Sequence, residues 1–533
     1  MVTPTRRDIL RALAAAPLSA LSACACRRDY PRGEIADSVT RRLPADVLSP
    51  PRLNRRASAA VIDAHAHFVN ASDVPVRGFI AESMGHNADS RLRPLIKEAA
   101  LLAEKFAERA PTAAEELTEL EDLARRLSNR TGDWEMQRDA WFRDKRERSA
   151  EDVAQIVSGT GFERRYRELV PPQVRRSGRT GITADEVKDA EDQSSGAIDL
   201  RARAGVADIV RTAQAFLQFL RLMVTYRAAN IRTYVDAFSP TDGAGVDMVL
   251  DVLVDFDYWL DCPPRSAHQD QVKLHQYLAA MHGSYVRPVV AYNPWTDIEQ
   301  DGAARDRVIA AWDTGVFVAA KVYPPMGFMP AGNANSAAAT SKPRPDLKRL
   351  DEVLAAFFTA CAEKGIPVIA HAARSNGRDA AHDDFSSPRA WDALLGRVAT
   401  QQRRPVISLG HFGGDNPETN WTADFAHLMN VYPTVQLFGD LGYWDRLICD
   451  DPSACAAARN RLKDVLKIRV GQSDTVVDRL MFATDWLMLS QVPGWKSYVQ
   501  RVREGLASIA GDPADVDKIL GANARRCFTR LSS

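Results

Sequence analysis

The sequence predicts an α/β protein built as a closed (β/α)8, TIM-like barrel with a long helical insertion after the first strand. Two patterns support this fold class. Eight short apolar segments, mostly rich in β-branched residues, recur from residue 60 onward, and helix-forming segments alternate with most of the later ones. Eight strand-then-helix units are typical of a closed parallel barrel, and a doubly wound open sheet is the alternative.

The first 24 residues are predicted to be an export signal. Residues 5–11 resemble a twin-arginine signal, and the apolar stretch 12–21 has the length of a signal h-region. Residues 21–24 resemble a bacterial lipobox, in which Cys24 is the lipidated residue. A simple cleavable signal is the alternative. We expect export by the twin-arginine route, a periplasmic or lipid-anchored location, and a Pro- and Arg-rich linker over residues 25–58.

The barrel is expected to occupy residues 59–72 and 246–533, with its first strand over residues 60–68. Residues 73–245 are predicted to form the helical insertion. Thr112 and Glu115 form a capping-box pattern at the start of one of its helices. Residues 206–235 carry the apolar stripe of a second, long helix around Phe216. The insertion could be a lid, an interface, or a solvated elaboration without a catalytic part.

The remaining strands and helices are predicted to alternate to the end of the barrel. The strands are predicted over residues 248–257, 285–294, 316–325, 366–372, 405–412, 434–441 and 480–486. The helices are predicted over residues 269–282, 303–312, 350–364, 388–401 and 424–430.

Polar residues that suit metal chemistry fall at or near the ends of predicted strands, where the active site of such a barrel lies. They are His65, His67, Lys321, His371, His411 and Asp485. Residues i and i+2 of a strand face the same side, so His65 and His67 can bind one ion together. Neutral imidazole suits zinc and related divalent metals.

Three segments resemble the amidohydrolase superfamily. Residues 61–67 (VIDAHAH) resemble its first-strand motif, and residues 480–486 (LMFATDW) resemble its eighth-strand motif. Residues 519–526 (ILGANARR) resemble the closing segment of the amidohydrolase-related branch, so the resemblance covers residues 60–72 and about 246–530. It implies one or two divalent ions, with zinc the expected metal, and a ligand set of His65, His67, His371 and Asp485.

The resemblance leaves the roles of two residues open. His411 corresponds to a ligand of the second ion in binuclear members, and to an acid/base or water-positioning group in mononuclear members. The segment around Lys321 resembles the strand in which a carboxylated lysine bridges two ions, which would make Lys321 a ligand. The alternative is an ordinary lysine that pairs with a carboxylate of the protein or the substrate.

The reaction expected from these residues is hydrolysis of a C–N or C–O bond in an amide, cyclic amide or lactone. Metal-activated water would attack, with Asp485 as general base and His411 assisting. Arg374 and Tyr323 are candidate substrate contacts. One alternative is a metal-dependent non-oxidative decarboxylase or hydratase, in which Lys321 or Arg374 would bind a substrate carboxylate. A second is an exported lipoprotein that binds a ligand without catalysis.

Composition narrows the partners. Lys and Arg (69) balance Asp and Glu (69), which gives no electrostatic case for nucleic acid. No apolar run reaches 18 residues, so no transmembrane helix is predicted in the body of the chain. We expect a small-molecule substrate and membrane contact only through a lipid anchor at Cys24. The apolar helix near Phe216 could serve as an oligomer interface. The sequence contains no CxxC pair, so a structural zinc ribbon is not expected. Cys449 could form a disulfide with Cys455.

Overall fold

The computed structural model describes residues 45–49, 61–85, 90–170, 181–195, 206–239, 245–260, 263–335, 346–416, 419–448 and 452–531. The predicted export signal with Cys24, most of the predicted linker, and Cys449 lie outside these residues. Export, the lipid anchor and the pairing of Cys449 therefore stay predictions, although Cys455 is disulfide-bonded. None of the helices in the described ranges combines the length and apolarity needed to cross a membrane.

Eight parallel strands form a nearly closed barrel, which confirms the predicted (β/α)8, TIM-like fold. Each strand pairs with the next one along the chain. The strands are β1 (Ile62–Ala66), β2 (Met248–Val252), β3 (Val286–Ala291), β4 (Ala320–Val322), β5 (Val368–Ala373), β6 (Ile407–Gly413), β7 (Leu437–Asp440) and β8 (Leu480–Met481). A separate two-stranded hairpin, Arg469–Val470 with Asp474–Thr475, precedes β8.

Strand residues divide between two apolar clusters. Ile62 and Ala64 of β1 belong, with Leu250 and Val252 of β2, to a small buried cluster that combines strand residues with residues of the C-terminal segment, such as Phe528. Val249, which directly precedes Leu250 in β2, belongs instead to the larger cluster that includes the helices. This alternation is what a strand buried on both faces requires.

The barrel is closed by the chain that follows β8 rather than by a long eighth strand. Residues 480–486 were predicted as one strand, but only Leu480–Met481 pairs with β7. The chain then turns to β1: Ala64 N donates to Phe482 O (3.0 Å), Asp485 N to His65 O (2.8 Å) and His67 N to Trp486 O (2.5 Å). These bonds fix Asp485 beside His65 of β1 and beside His67, which follows β1.

Helices follow most of the later strands. They are α9 (His268–His282), α10 (Pro294–Glu299), α11 (Ala303–Asp313), α12 (Leu347–Lys364), α13 (Pro388–Val398), α14 (Trp421–Val431), α15 (Pro452–Leu466), α16 (Tyr498–Ala510), α17 (Pro513–Asp517) and α18 (Asn523–Cys527). A 3-10 turn, Ala45–Leu48, lies within the predicted linker and buries Val47 and Leu48.

Eight α-helices of seven or more residues lie between β1 and β2 in the described part of the chain. They are α1 (Arg93–Leu101), α2 (Ala103–Arg109), α3 (Ala113–Leu127), α4 (Trp134–Val157), α5 (Gly161–Leu169), α6 (Ala184–Ser195), α7 (Val206–Val224) and α8 (Arg227–Phe238). The predicted capping box starts α3, where Thr112 and Glu115 bond reciprocally. The described residues all belong to one compact unit, and its division into barrel and insertion remains a sequence prediction.

The prediction of one continuous helix over residues 206–235 is wrong, because this segment forms two helices, α7 and α8. Tyr226 leaves the helical conformation at ψ 138°, and the carboxylate of Glu116 then accepts the N–H groups of Arg227 (2.9 Å) and Ala228 (2.8 Å). A carboxylate from a distant helix therefore caps the new N-terminus. Phe216 of α7 is only 4 % exposed, so its ring packs within this chain rather than offering a free interface.

Arg227 is the main polar link between the helices before β2 and the loop after β1. Its guanidinium is fully buried and pairs with Glu116 of α3 (2.9 Å) and with Asp73 of the β1 loop (2.8 Å). It also donates to Ser72 (2.9 Å) and to Ser266 (3.1 Å), just before α9. One side chain thus joins four segments.

Replacing Arg227 with Met is expected to lower the free energy of unfolding by about 3–5 kcal/mol, because two buried carboxylates lose their cation. The urea midpoint of the far-UV circular dichroism signal measures this loss. Arg148→Met is the control, since it removes only an exposed ion pair with Asp144 on α4. Equal midpoints for the two variants would show that Arg227 does not hold the segments together.

Candidate metal centre

The six predicted strand-end residues meet at one end of the barrel. His65 lies in β1, Lys321 in β4, His371 in β5 and His411 in β6, while His67 and Asp485 follow β1 and β8. All except His67 are at least nine-tenths buried, and the His67 side chain is 14 % exposed. The imidazole centroids of His65 and His67 lie 4.9 Å apart, those of His65 and His411 5.0 Å, and those of His371 and His411 4.6 Å.

The tautomer of His65 is set by Asp440, the last residue of β7. Nδ1 of His65 lies 3.2 Å from Oδ2 of Asp440, and a carboxylate can only accept, so Nδ1 carries the proton. Nε2 therefore has the lone pair, and it lies 2.9 Å from Nζ of Lys321. A Cβ on Gly410 of β6 would come within 2.9 Å of the His65 ring, so glycine is needed there for this approach.

His67 is oriented in the same way by the backbone of β2. Its Nδ1 donates to Val252 O at 2.5 Å, which leaves the lone pair on Nε2. That nitrogen lies 3.3 Å from Oδ1 of Asp485. With neutral His67, two acceptor atoms face each other, an arrangement that is stable only when a proton or a cation lies between them.

His411 sits in strained backbone that directs its ring into the cluster. His411 and Phe412 have φ angles of 65° and 40°, in the left-handed region, and the following Gly413 and Gly414 continue it. Asp440 stabilises this bend by accepting His411 N at 2.9 Å. Nδ1 of His411 donates to Gly442 O at 3.0 Å, so the lone pair of this ring is also on Nε2.

His371 is part of the ring cluster but bonds differently. Its Nε2 lies 3.2 Å from Oγ of Ser375, in the loop after β5. The ring also packs against Tyr323, with centroids 5.2 Å apart. His371 belongs to neither of the two groups of donor atoms that come within 4.8 Å of one another in the described residues, which are His65–His411–Asp440 and His65–His67–Asp485.

Burial controls the charge of these groups. Burial, followed by the charge of Lys321, holds the pKa of His65 well below its usual value, and burial does the same for His371. Burial lowers the pKa of Lys321 to about 8, although Asp440 and Asp485 oppose the shift. Burial would raise the pKa of Asp485, but His411 and His67 outweigh it and lower the pKa.

The donor set fits a divalent ion. Three imidazoles offer a lone pair on Nε2 while their Nδ1 atoms donate to a carboxylate or a carbonyl, which is the supporting shell that metal-binding histidines require. The carboxylate of Asp485 lies beside His67. Nitrogen and carboxylate donors of this kind suit zinc, and they also accept other divalent metals.

The two candidate substrate contacts are placed differently. Arg374 lines a cavity of about 350 Å³ that also contacts His411 and Asp485, but its guanidinium pairs with Asp384 at 3.2 Å and is 38 % exposed. Tyr323 lines a smaller pocket of about 50 Å³ beside His67 and His371. Burial raises the pKa of the Tyr323 hydroxyl, which hydrogen-bonds to the side chain of Asn376.

Two functional residues were missed by sequence reasoning. Asp440 orients His65 and His411, and its position at the end of a predicted strand was the signal that could have identified it. Asp63 lies within the first-strand motif and accepts His65 N (3.1 Å), Thr484 N (3.0 Å) and Thr484 Oγ1 (2.6 Å). Its contacts with Thr484 join residues distant in sequence, so no local pattern reveals them.

Comparisons with known proteins point in one direction. A family model described as Amidohydrolase matches residues 259–530, which include Lys321, His371, His411 and Asp485 but not His65 or His67. No curated protein matches the chain.

The solved structures that match part of the chain include proteins from several bacteria. A probable 2-pyrone-4,6-dicarboxylic acid hydrolase from Acinetobacter baumannii is 12% identical, with 56% of this chain and 89% of that chain covered and a TM-score of 0.35. An amidohydrolase from Burkholderia multivorans with bound zinc is 12% identical, with 58% and 92% covered and a TM-score of 0.35. A 2,6-dihydroxybenzoate decarboxylase from Rhizobium is 14% identical, with 56% and 88% covered and a TM-score of 0.33.

Asp440→Asn is expected to weaken binding of a divalent ion by about 10- to 100-fold, because His65 loses the carboxylate that fixes its tautomer. Competition with a fluorescent zinc chelator measures the affinity. The matched control is Asp297→Asn, which alters a buried carboxylate of α10 that accepts hydrogen bonds from the Tyr292 hydroxyl (3.0 Å) and from Arg305 N (2.9 Å) and lines neither cavity. Equal affinities in the two variants would show that Asp440 does not support a metal centre.

Proposed function

The chain belongs to the amidohydrolase-related branch of the amidohydrolase superfamily, and from this premise we propose that it is a metal-dependent hydrolase of a C–N or C–O bond. Amides, cyclic amides and lactones are the substrates considered. The family match and the barrel support an enzyme of this superfamily, either a hydrolase or a decarboxylase. The choice of hydrolysis is the proposal.

One observation carries the proposal. His65, His67 and Asp485 bring one ligand atom each within 4.8 Å of one another, and His411 keeps its Nε2 lone pair on a ring whose centroid lies 5.0 Å from that of His65. Without a proton or a cation between them, Nε2 of neutral His67 and Oδ1 of Asp485 are two acceptors 3.3 Å apart in a buried site, which costs free energy. We propose zinc as the ion, because neutral imidazole and carboxylate are donors that it accepts.

The chemistry follows from this placement. A divalent ion held by His65, His67 and Asp485 would supply Lewis acidity and would lower the pKa of bound water towards about 7. Asp485 is placed to take the proton of the attacking water and to return it to the leaving nitrogen or oxygen. The Nε2 lone pair of His411, which lines the cavity, can bind an ion or accept a hydrogen bond from that water.

Lys321 decides between two versions of the site. Unmodified, its ammonium donates to Nε2 of His65 at 2.9 Å, which fits a single ion held by other donors. Carboxylated, it becomes an oxygen ligand and fits a pair of ions. Burial lowers its pKa to about 8, so the neutral amine that reacts with carbon dioxide is more accessible than in an exposed lysine. Both versions remain within the proposal.

Decarboxylation or hydration is the second candidate function. It needs a cation for a substrate carboxylate, and Lys321 and Arg374 are the candidates. Lys321 lines neither of the two cavities, and Arg374 pairs with Asp384. This favours hydrolysis.

The third candidate, a non-catalytic exported ligand-binding lipoprotein, has no support from the site, because every predicted ligand is present. Export to the periplasm stays part of the proposal.

Asp485→Asn is expected to lower kcat by about 10²- to 10⁴-fold, because the proton acceptor is lost. The test is hydrolysis of a panel of amides, cyclic amides and lactones by zinc-loaded protein, with carbon dioxide release from aromatic acids measured in parallel. Asp424→Asn, at an exposed position of α14, is the control and should keep full activity. Carbon dioxide release as the only activity, or an unchanged kcat in Asp485→Asn, would overturn the proposal.

A further inference from the structure

The helices between β1 and β2 supply one wall of the cavity at the candidate metal centre. Leu95 and Ile96 of α1 and Phe216 of α7 line it, while His411 and Asp485 line it from the barrel. Its volume of about 350 Å³ is within the range of small-molecule sites. The barrel therefore brings the reacting groups, and the helices bring apolar surface.

The apolar wall continues inward to the histidines. The smaller pocket is lined by Phe219 and Met223 of α7, together with His67 and His371. His411 and Asp485 line both spaces, as do Asn376 and Met488, so the two are contiguous. A molecule that reaches the metal centre thus contacts α7 along its length.

The charges around these spaces are uneven. Among the described residues that line them, Arg374 is the one Lys or Arg, and Asp384 already neutralises it. Asp485 and Asp415 add two carboxyl groups. Away from the metal centre itself, a carboxylate buried against this wall would lose its hydration and would meet no Lys or Arg among the described lining residues except Arg374, which is unfavourable.

We propose that the substrate is electrically neutral and carries an apolar acyl or aryl group that packs against α1 and α7. This inference rests on the proposed function for the position of the scissile bond. It makes the helices between β1 and β2 the element that selects the substrate, and it disfavours acids as substrates.

Binding is tested with two aryl ketones that cannot be hydrolysed, 1-phenylhexan-1-one and 5-oxo-5-phenylpentanoate. They share the PhCO(CH2)3 part and differ at the chain end, which is an ethyl group in the first and a carboxylate in the second. Calorimetry on the purified, zinc-loaded full chain should give at least about tenfold tighter binding of the neutral ketone. Equal affinities, tighter binding of the anion, or no binding of either ketone would overturn the inference.

A matched pair of variants locates the preference. Leu92 lies just before α1, is partly exposed and lines the cavity, so Leu92→Lys places a cation in the wall. We expect this variant to lose most of the preference for the neutral ketone. Leu101→Lys, at a 69 % exposed position at the end of α1, should keep the preference for the neutral ketone. An unchanged preference in Leu92→Lys would contradict the assignment of the wall.

Turnover separates this inference from the proposed function. The anilides of hexanoic acid and of glutaric acid replace the two ketones in an assay of hydrolysis. Preferential binding of the neutral ketone with no hydrolysis of any amide or lactone would remove the proposed function and leave the inference standing. Hydrolysis with faster turnover of the anionic anilide would support the proposed function and would overturn the inference of a neutral substrate.

Discussion

The contact between β1 and the chain after β8 is the constraint on which the rest of the site depends. Asp63 accepts hydrogen bonds from His65 N, from both donors of Thr484, and from the hydroxyl of Tyr234 (2.6 Å) in α8. Burial raises the pKa of Asp63 to about 6 despite these bonds, so part of its desolvation is not offset. One carboxylate thus closes the barrel, fixes Asp485 beside His67, and attaches the preceding helices.

Around this contact, hydrogen bonds to a carboxylate and to two backbone carbonyl groups orient the histidines. Asp440 serves β1 and β6 together, since one oxygen faces His65 Nδ1 and the other accepts His411 N and Gly442 N. Carbonyl groups of Val252 and Gly442 perform the same task for His67 and His411. The strain of His411 at φ 65° is therefore held by bonds from the neighbouring strand.

Strand periodicity and strand-end positions were enough to predict the barrel and to place six polar residues near one another. The capping box of α3 was also readable, because it is a local pattern. The break between α7 and α8 was not, since it depends on Glu116 from α3. Sequence reasoning also missed the roles of Asp440 and Asp63 and the apolar wall formed by α1 and α7. Each of them depends on contacts with residues far away in sequence.

The metal content of the purified full chain tests the central claim most directly. Inductively coupled plasma mass spectrometry should find about one or two divalent ions per wild-type chain after exposure to zinc and dialysis, and far fewer in a His65→Asn, His67→Asn double variant. Two ions that fall to one or none in Lys321→Ala would indicate a carboxylated lysine. A wild-type chain that retains no ion, yet hydrolyses an amide or lactone, would contradict the account.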